Sequence, residues 1–449
     1  MRPIVVSLAR LVLPVGLLLA GACSAPAPAG PPAVLYTLRA PDADGHRLEV
    51  EAVVPSAGEE TLELRMAVWS PGYYKREDYA SRIEEMVAET PEGQRLVLES
   101  KTSNRWRVRT AGHPSVVLRY RLRCDEQSVT TNWVSPDLAV INGPATFITR
   151  VEKGPRPHEV RLEGPASWPR VATALEAVTA GEETRYRAPS YDVLADSPIL
   201  AGNLSIREFD VEGSLHVLAD GGAWEDFPVD RAAQDLARMA RGTRDFWGFL
   251  PFPRYVFLDV HREGGGGLEH ADSTLVTVQP SRLATPEGYE HWLGLVAHEY
   301  FHAFNVKRLR PIELGPFDYE TPPETASLWV SEGLTSYFAE LVLRRSGLTS
   351  TDDYLATLSR RIRKLQETPG RRVQSLEEAS RRVWATSKSG LAENEETTVS
   401  YYVKGPVVGF LLDAEIQRRT GGVRDLGDVI RWAYQRYSGA RGFTAEEFR

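Results

Sequence analysis

The sequence is poor in cysteine, in basic runs and in long apolar stretches, and each shortage excludes a class of protein. Its two cysteines, Cys23 and Cys124, are too few for a cysteine-rich zinc site. Lysine and arginine form no run with interleaved aromatic residues, and the net charge is −8, so we expect no nucleic-acid partner. Beyond the N-terminus no segment is long and apolar enough to predict a membrane span.

The N-terminus has the pattern of an export signal. Arg2 and Arg10 supply the positive region, and residues 11–20 form a short apolar stretch that ends in small residues. We therefore predict a signal peptide over residues 1–23, followed by a Pro/Ala tether over residues 24–33.

The letters "LLLAGAC" at the end of this signal resemble a bacterial lipobox, in which the cysteine is lipidated. Ala20 stands where leucine is usual, and ordinary cleavage between Ala20 and Ala25 is the alternative. We expect an exported protein, either periplasmic or held at the membrane as a lipoprotein through lipid on Cys23. With Cys23 lipidated, Cys124 forms no disulfide; it lies in an alternating segment and is predicted to be a small buried residue.

The 449 residues allow two or three domains, and 42% hydrophobic and 25% charged residues are typical of a soluble globular chain. Residues 34–210 predict β-structure, because "HRLEVEAVV", "TLELRMAVW", "NRWRVRT" and "SVVLRYRLR" alternate apolar and polar residues between turn formers. Short alternating strands at this spacing indicate a sandwich-like N-terminal β domain. We find no catalytic grouping in it.

Residues 211–449 have a different period and predict a mostly helical domain. "RAAQDLARMARGTRDFWGFL" is an amphipathic helix, and "RYVFLDVH" is a strand that precedes "GGGGLEH". Strands first and helices later indicate an α+β fold. At the end, Thr444 and Glu447 have the spacing of a capping box, yet the sequence stops within two turns, so we expect a fragment of a longer protein.

The stretch "LVAHEYFHAF" carries the strongest chemical signal. His298 and His302 stand four residues apart, so both imidazoles leave one face of a helix and can reach one metal ion. Glu299 lies beside them, where it can take a proton from the attacking water. Pro286 suits the first turn of this helix, and an apolar stripe faces the core at Leu293, Ala297, Phe301 and Phe304. The alternative is a structural histidine pair.

A third ligand is available thirty residues later. Zinc in a catalytic site takes three protein ligands, and "LWVSEGLTSYFAELVL" is a helical pattern with one acidic residue, Glu332, in its apolar first half. A carboxylate there is costly unless it is paired or bound to metal. The alternative is a first-turn glutamate that complements the helix dipole.

Two further stretches fit a peptidase. In "GGGGLEH", Gly266 and Gly267 leave room for a substrate backbone along a strand edge, and Glu269 is placed to meet a cationic group such as a free α-amine. A flexible loop with a solvated Glu269 is the alternative. In "SYYVKGPVVGFLL", Pro406 fits the first turn of a helix and puts Tyr402 just ahead of it, where its hydroxyl can stabilise an oxyanion. A tyrosine that only packs is the alternative.

Two other histidines, His270 and His291, are expected beside the site or at the surface rather than on the metal.

Together these motifs resemble the glycyl aminopeptidase family, gluzincin metallopeptidases with a thermolysin-like catalytic domain that usually carry a C-terminal PDZ domain. "HEYFHAFNVKRLRP", "LWVSEGLTSYF" and "GGLEH" match its catalytic domain, and "VWSPGYYKREDYA" and "YDVLADSPILAG" resemble its N-terminal β domain. The likeness runs from about residue 35 to the end. No PDZ domain is present in these 449 residues.

The resemblance implies a function and a role for each site residue. It implies that His298, His302 and Glu332 bind Zn²⁺ and that Glu299 is the general base. Similarity to the related aminopeptidase N group implies that Tyr402 stabilises the intermediate and that Glu269 binds the substrate amine.

Two residues depart from the relatives. Phe304 stands where many have tryptophan, and Ser336 follows the third ligand where thermolysin has an acidic residue.

We therefore predict an exported zinc aminopeptidase that acts on peptides or proteins. A zinc endopeptidase and a surface-anchored binding protein without turnover remain the alternatives. The sequence leaves the oligomeric state, the preferred N-terminal residue and the natural substrate open.

Overall fold

Alternating apolar residues in the first half of the chain build strands that bury one face. The computed structural model describes residues 31–448 except 153, 182, 223–225 and 387–389. The strands of this half are β1 Val34–Arg39, β2 Arg47–Pro55, β3 Thr61–Arg65, β4 Ile83–Glu89, β5 Leu98–Thr102, β6 Arg105–Arg109, β7 Ser115–Arg123, β8 Trp133–Val134, β9 Leu138–Ile141, β10 Thr149–Arg150, β11 His158–Glu163, β12 Arg170–Thr173, β13 Glu176–Ala180, β14 Glu183–Ala188 and β15 Ile199–Gly202.

These strands form three sheets. The largest has the order β13-β14-β11-β1-β2-β7-β4, and two four-stranded sheets have the orders β10-β3-β6-β5 and β12-β15-β9-β8. Buried residues of the seven-stranded sheet, such as Tyr36 and Leu118, share one core with Leu64 and Trp106 of the first four-stranded sheet. Burial of alternate residues at a common interface is the arrangement of a sandwich.

The remaining strands form a mixed sheet with the order β16-β17-β18-β20-β19, in which β17, β18 and β20 run parallel. They are β16 Ser205–Val211, β17 Ser214–Gly222, β18 Arg254–His261, β19 Gly265–Glu269 and β20 Ser273–Val278. Seven of the eight residues of β18 are buried, because both faces of this strand are covered. Because β16 pairs with β17, this sheet begins at Ser205.

All α-helices but the first lie in the second half of the described chain, and the first belongs to the core of the N-terminal half. The helices are α1 Tyr191–Ala195, α2 Val229–Trp247, α3 Pro280–Leu283, α4 Pro286–Phe301, α5 Thr335–Arg345, α6 Thr351–Glu367, α7 Leu376–Arg381, α8 Tyr401–Thr420 and α9 Leu426–Tyr437. A π-helix, Trp329–Leu334, runs into α5. Short 3₁₀ turns lie at Tyr79–Arg82, Ile312–Leu314, Pro369–Arg372 and Val383–Ala385.

The predicted α+β class is confirmed: a sheet-rich N-terminal half precedes a largely helical C-terminal half. Cys124 is fully buried, as predicted, and burial raises the pKa of its thiol to about 12. Thr444 and Glu447 do exchange the two capping hydrogen bonds, but they close a turn rather than a helix. Among the described residues no helix is both long and apolar enough to cross a bilayer.

Candidate metal centre

Helix α4 presents the two histidines at its C-terminal end. The Thr285 side chain accepts a hydrogen bond from the N–H of Gly288, and Pro286 occupies the first turn as predicted. The helix ends at Phe301, so His298 lies in its last turn and His302 caps it. Phe304 was expected to extend the helical stripe; it lies beyond the helix, although its side chain is fully buried.

The side chains of His298, His302 and Glu332 converge on one point. The two Nε2 atoms lie 2.9 Å apart. Glu332 Oε2 lies 3.4 Å from Nε2 of His298 and 3.3 Å from Nε2 of His302. Three ligand-type atoms from two separate helical segments therefore face each other, which is the donor set that a tetrahedral site requires from the protein.

The other nitrogen of each imidazole also has a partner. Nδ1 of His302 donates to the carbonyl oxygen of Asn305 at 2.8 Å, and Nδ1 of His298 lies 3.2 Å from Oγ of Ser336. Histidine ligands usually give their second N–H to such an acceptor, which fixes the ring orientation. Ser336, the residue noted in the sequence as a departure from thermolysin, thus contacts the second nitrogen of His298.

Asn305 supports the candidate site through its hydrogen bonds and was not predicted from the sequence. Its fully buried amide donates to the carbonyl of Val330 and to the hydroxyl of Thr335, so it joins the end of α4 to the segment that carries Glu332. The only signal in the sequence is a polar residue inside the otherwise apolar and basic stretch after the second histidine.

Glu332 lies in a π-helix, which the sequence pattern did not predict. A π-turn is rare and commonly marks a functional site, because it shifts the side-chain direction relative to an α-helix. Here Gly333 packs backbone to backbone against Gly405 of α8, and a Cβ atom on either glycine would overlap the other. This close approach brings the start of α8 next to the third candidate ligand.

The glycine-rich segment forms β19, the edge strand of the mixed sheet, and passes directly over the cluster. A Cβ atom on Gly267 would overlap the carboxylate of Glu299, and a Cβ atom on Gly72 would overlap that of Glu269. Gly266 has open space around it but a φ of 136°, which favours glycine. The edge strand predicted from the sequence is therefore present, and Gly72 of the N-terminal half contributes to the same site.

Burial and mutual charge shift the pKa values of these groups in opposite directions. Burial opposes the charge on Glu332, but the neighbouring His302 and His298 hold its pKa at about 2. Burial also opposes protonation of His302, yet the carboxylates around it raise its pKa to about 10. Burial raises the pKa of Glu299, and it raises that of Glu269 to about 7.

The cluster has the negative charge and the lone pairs that suit a divalent cation. Three buried carboxylates surround two imidazoles, and the ligand atoms of Glu269, Glu299 and His302 also lie within 4.8 Å of one another. Within the described part of the chain, Oε1 of Glu332 and Oε1 of Glu269 are buried without a hydrogen-bond partner. Buried carboxylate oxygens are costly when unpaired, so the residues present fit a bound metal.

Tyr402 approaches the cluster, but not in the way the sequence predicted. Its ring centroid lies 6.2 Å from that of His298. The prediction that Tyr402 precedes the helix is wrong: α8 begins at Tyr401, and Pro406 lies inside it. The reason is that Ser400 caps the helix through the N–H of Tyr402, so the helix starts five residues earlier than the proline suggested.

The remaining predicted residues are held away from the candidate ligands. His270 is buried, and its Nδ1 lies 3.0 Å from Oδ1 of Asp196, which also accepts from Lys307 Nζ at 2.7 Å. Asp196 thereby anchors the residues that follow Glu269. His291 is exposed on α4.

Known structures share this fold. An aminopeptidase N family protein from Idiomarina loihiensis is 27% identical, with a TM-score of 0.86 over 92% of this chain and 72% of that chain. Native leukotriene A4 hydrolase from Saccharomyces cerevisiae is 13% identical, with a TM-score of 0.52 over 93% of this chain and 63% of that one. An M1 zinc metallopeptidase mutant from Deinococcus radiodurans is 16% identical, with a TM-score of 0.53 over 93% and 89%. Among curated proteins no sequence matches.

Two sequence families match successive parts of the chain. Residues 35–203 match the Peptidase M61 N-terminal domain. Residues 291–408, which include His298, Glu332 and Tyr402, match the M61 glycyl aminopeptidase family. Together the two matches span more than half of the chain, in the order of its two halves. The chain therefore belongs to the M61 glycyl aminopeptidase family.

Proposed function

We propose that this member of a peptidase family is a zinc-dependent aminopeptidase that removes the N-terminal residue of peptide or protein substrates. One observation carries the proposal. The buried carboxylate of Glu269, with one oxygen that has no partner among the described residues, ends an edge strand within 4.8 Å of the ligand-type atoms of Glu299 and His302. A negative charge at that place suits the cationic α-amine of a substrate.

In this proposal His298, His302 and Glu332 hold the zinc. When bound, zinc supplies a Lewis acid that polarises the scissile carbonyl and acidifies the attacking water. Glu299 accepts the proton of that water and returns it to the departing amine. Burial raises the pKa of Glu299, which makes its carboxylate a stronger base than an exposed glutamate.

The substrate backbone would lie along β19. Among the described residues this strand is the last in its sheet and pairs with β20 alone, so its outer backbone groups face away from the sheet. Addition of an extended peptide to such an edge aligns it by main-chain hydrogen bonds. The missing side chain at Gly267 lets the carboxylate of Glu299 approach this strand closely. Glu269 at the strand end then fixes the first peptide bond over the cluster.

In this proposal the hydroxyl of Tyr402 donates a hydrogen bond to the oxyanion of the tetrahedral intermediate. Burial raises the pKa of its phenol well above the ordinary value, so the hydroxyl keeps its proton and can donate a hydrogen bond. The neighbouring Tyr401 is fully buried, and both its hydroxyl and the ring edge of Tyr402 lie against Gly390, but the Tyr402 ring is the one that packs beside His298. Tyr402→Phe should therefore lower kcat with little change in KM, whereas Tyr401→Phe should not show this pattern.

The deciding experiment compares free and N-acetylated versions of one peptide. Acetylation removes the charge that Glu269 would bind, so the blocked peptide should be a poor substrate. Glu269→Ala should raise KM for the free peptide by an amount near the ~2–5 kcal/mol of a broken buried charge pair. The blocked peptide should be almost unaffected, and Glu263→Ala, at an exposed position before β19, serves as the control. Equal cleavage of both peptides would favour an endopeptidase; no cleavage of either by zinc-loaded protein would favour a binding protein.

We further propose that the protein is exported and carries lipid on Cys23. The support is the sequence pattern of residues 1–23, which lies outside the described residues. Labelling of cells with a palmitate analogue should mark the protein, and Cys23→Ala should abolish the label and release the protein from the membrane fraction. An unlabelled protein in the soluble periplasmic fraction would leave export standing and remove the lipid.

A further inference from the structure

The start of α8 contains a backbone defect beside the candidate active site. Pro406 occupies the sixth position of this helix and has no N–H to donate. In a regular α-helix that N–H would bond the carbonyl four residues earlier, which belongs to Tyr402. The residue to which the oxyanion was assigned is therefore the one whose carbonyl loses its helical partner.

A side chain from α6 replaces the missing donor. Nη1 of Arg361 donates to the carbonyl oxygen of Tyr402 at 2.9 Å. The same guanidinium donates through Nε, at 2.9 Å, and through Nη2 to the carboxylate of Glu340. Both side chains are mostly covered, with 28% exposure for Arg361 and 21% for Glu340. A planar guanidinium can make these bonds at once, whereas the single ammonium of lysine cannot reproduce the fork.

The position of Glu340, the second partner of Arg361, connects this contact to the candidate metal site. Glu340 is on α5, which continues directly from the π-helix that carries Glu332. Arg361 thus joins the helix that presents the third candidate ligand to the helix that presents Tyr402. The carbonyl of Tyr402 belongs to the backbone unit from which its side chain projects, so holding this carbonyl restricts the position of the ring.

We propose that Arg361 is a positioning residue for Tyr402, which it holds by donating to the carbonyl that Pro406 leaves without a helical donor. The inference rests on the proposed function, since it concerns the orientation of the group that meets the oxyanion. Among the described residues, the hydrogen bonds of Arg361 go to Glu340 and Tyr402 and to none of the candidate ligands. Its loss should therefore act on the transition state and leave metal binding intact.

Removal of the donor gives the first measurement. Arg361→Met keeps the length of the side chain but donates nothing, and we expect kcat to fall about 10- to 100-fold, the range for a misplaced catalytic group. KM and zinc content should stay within about twofold, because the amine contact and the ligands are untouched. The kcat of Arg361→Lys should lie between that of the wild type and that of Arg361→Met. Arg360→Met, at an exposed position on the same helix, is the control and should behave like the wild type.

A second substitution tests whether the missing N–H of Pro406 is the reason that Arg361 is needed. Pro406→Ala restores an N–H four residues after Tyr402, so the double variant Arg361→Met, Pro406→Ala should recover most of the lost kcat. A merely structural role of Arg361, through Glu340, would not be rescued in this way. A double variant that is as slow as Arg361→Met would overturn the proposal, provided that thermal melting shows both to be folded.

A double-mutant cycle connects the effect to the hydroxyl. Once Tyr402→Phe has removed the hydroxyl, Arg361→Met should lower kcat by less than about threefold more, because residues that act through one group are not additive. Fully additive losses in an active enzyme would contradict the inference alone. A wild-type protein with zinc but no peptidase activity would instead contradict the proposed function.

Discussion

The described residues include one histidine–carboxylate cluster between helices and another on the mixed sheet. The helical cluster is His298, His302 and Glu332; the sheet cluster is Asp220, Asp259 and His261, and in each the ligand-type atoms lie within 4.8 Å of one another. Both clusters are largely buried, although the His298 side chain keeps 15% exposure. By composition and spacing alone, either cluster qualifies as a metal site.

The clusters differ in how their members are brought together. Asp220 and Asp259 are register partners on the parallel strands β17 and β18, and His261 lies two residues further along the same face. Strand pairing alone makes these side chains neighbours. The ring centroid of Phe227 lies 4.4 Å from that of His261, and the Phe227 ring also packs against Trp292 of α4.

In the helical cluster, separate structural features bring the ligand-type side chains together. A π-turn directs Glu332, and Asn305 and Ser336 hold the second nitrogens of the two imidazoles. Support of this kind is typical of metal ligands. In the sheet cluster Asp220 and His261 instead form a close ion pair, and burial raises the pKa of Asp259 to about 7. Both oxygens of Asp259 are also buried without a hydrogen-bond partner among the described residues, so unpaired oxygens alone do not separate the clusters. We infer from the support of its imidazoles that the helical cluster takes a cation, whereas the raised pKa of Asp259 favours a retained proton in the sheet cluster.

The largest effect should come from removing a ligand. His302→Ala, or His298→Ala, leaves two protein ligands, which hold zinc poorly, so metal content should fall from about one per chain to near zero and activity should vanish. Asp220→Asn in the sheet cluster should leave the metal content at about one. Metal analysis of the purified variants checks both statements. Two metals per chain, one of them lost in Asp220→Asn, would erase the distinction between the clusters.

Glu299→Gln should have the next largest effect. The amide is nearly isosteric but cannot accept a proton, and loss of a general base typically costs ~10²–10⁴-fold in rate. Zinc should remain bound, because Glu299 is not one of the three proposed ligands. Steady-state kinetics with matched metal analysis separates this outcome from ligand loss. Near-normal turnover would remove Glu299 from the mechanism.

Two neighbouring glycines give a smaller, paired test of the edge strand. Gly267→Ala puts a methyl group where the Glu299 carboxylate lies, so we expect kcat to fall by about 10- to 100-fold as the base is displaced. Gly266→Ala meets open space, and its cost is backbone strain of ~1–3 kcal/mol, visible in thermal stability more than in kcat. If both variants lose activity equally, proximity to Glu299 is not what position 267 provides.

The comparison also separates what the sequence predicted from what it did not. The helix of His298 and His302 and the strands of the N-terminal half follow from local periodicity, which survives folding because one face of each element is buried. Glu332 was identified because a lone carboxylate in an apolar helical pattern is costly. Each of these signals is contained within one short segment of the chain.

Most of the missed features depend on partners that are distant in the sequence. The helix start is the exception, because Ser400, six residues before Pro406, is itself a typical N-cap residue and was overlooked. Nothing near Pro406 in the sequence indicates that Arg361 supplies the missing hydrogen bond. The sheet cluster was missed for the same reason, because only the register of two strands brings Asp220 next to Asp259. A π-turn at Glu332 likewise follows from packing between helices rather than from propensity.

The smallest effect concerns the proton held by the sheet cluster. Burial, opposed by His261, raises the pKa of Asp259 from 3.8 to about 7, so the folded protein binds a proton that the unfolded chain releases. The free energy of unfolding should therefore fall as pH rises from about 4 to about 7. Asp259→Asn removes this contribution, and between pH 5 and pH 8 the melting temperature should shift in favour of the variant by about 3–5 °C. Asp44→Asn, at an exposed position, should show no such shift. A constant difference between the Asp259 variant and the wild type across this range would mean that the sheet cluster does not hold the proton.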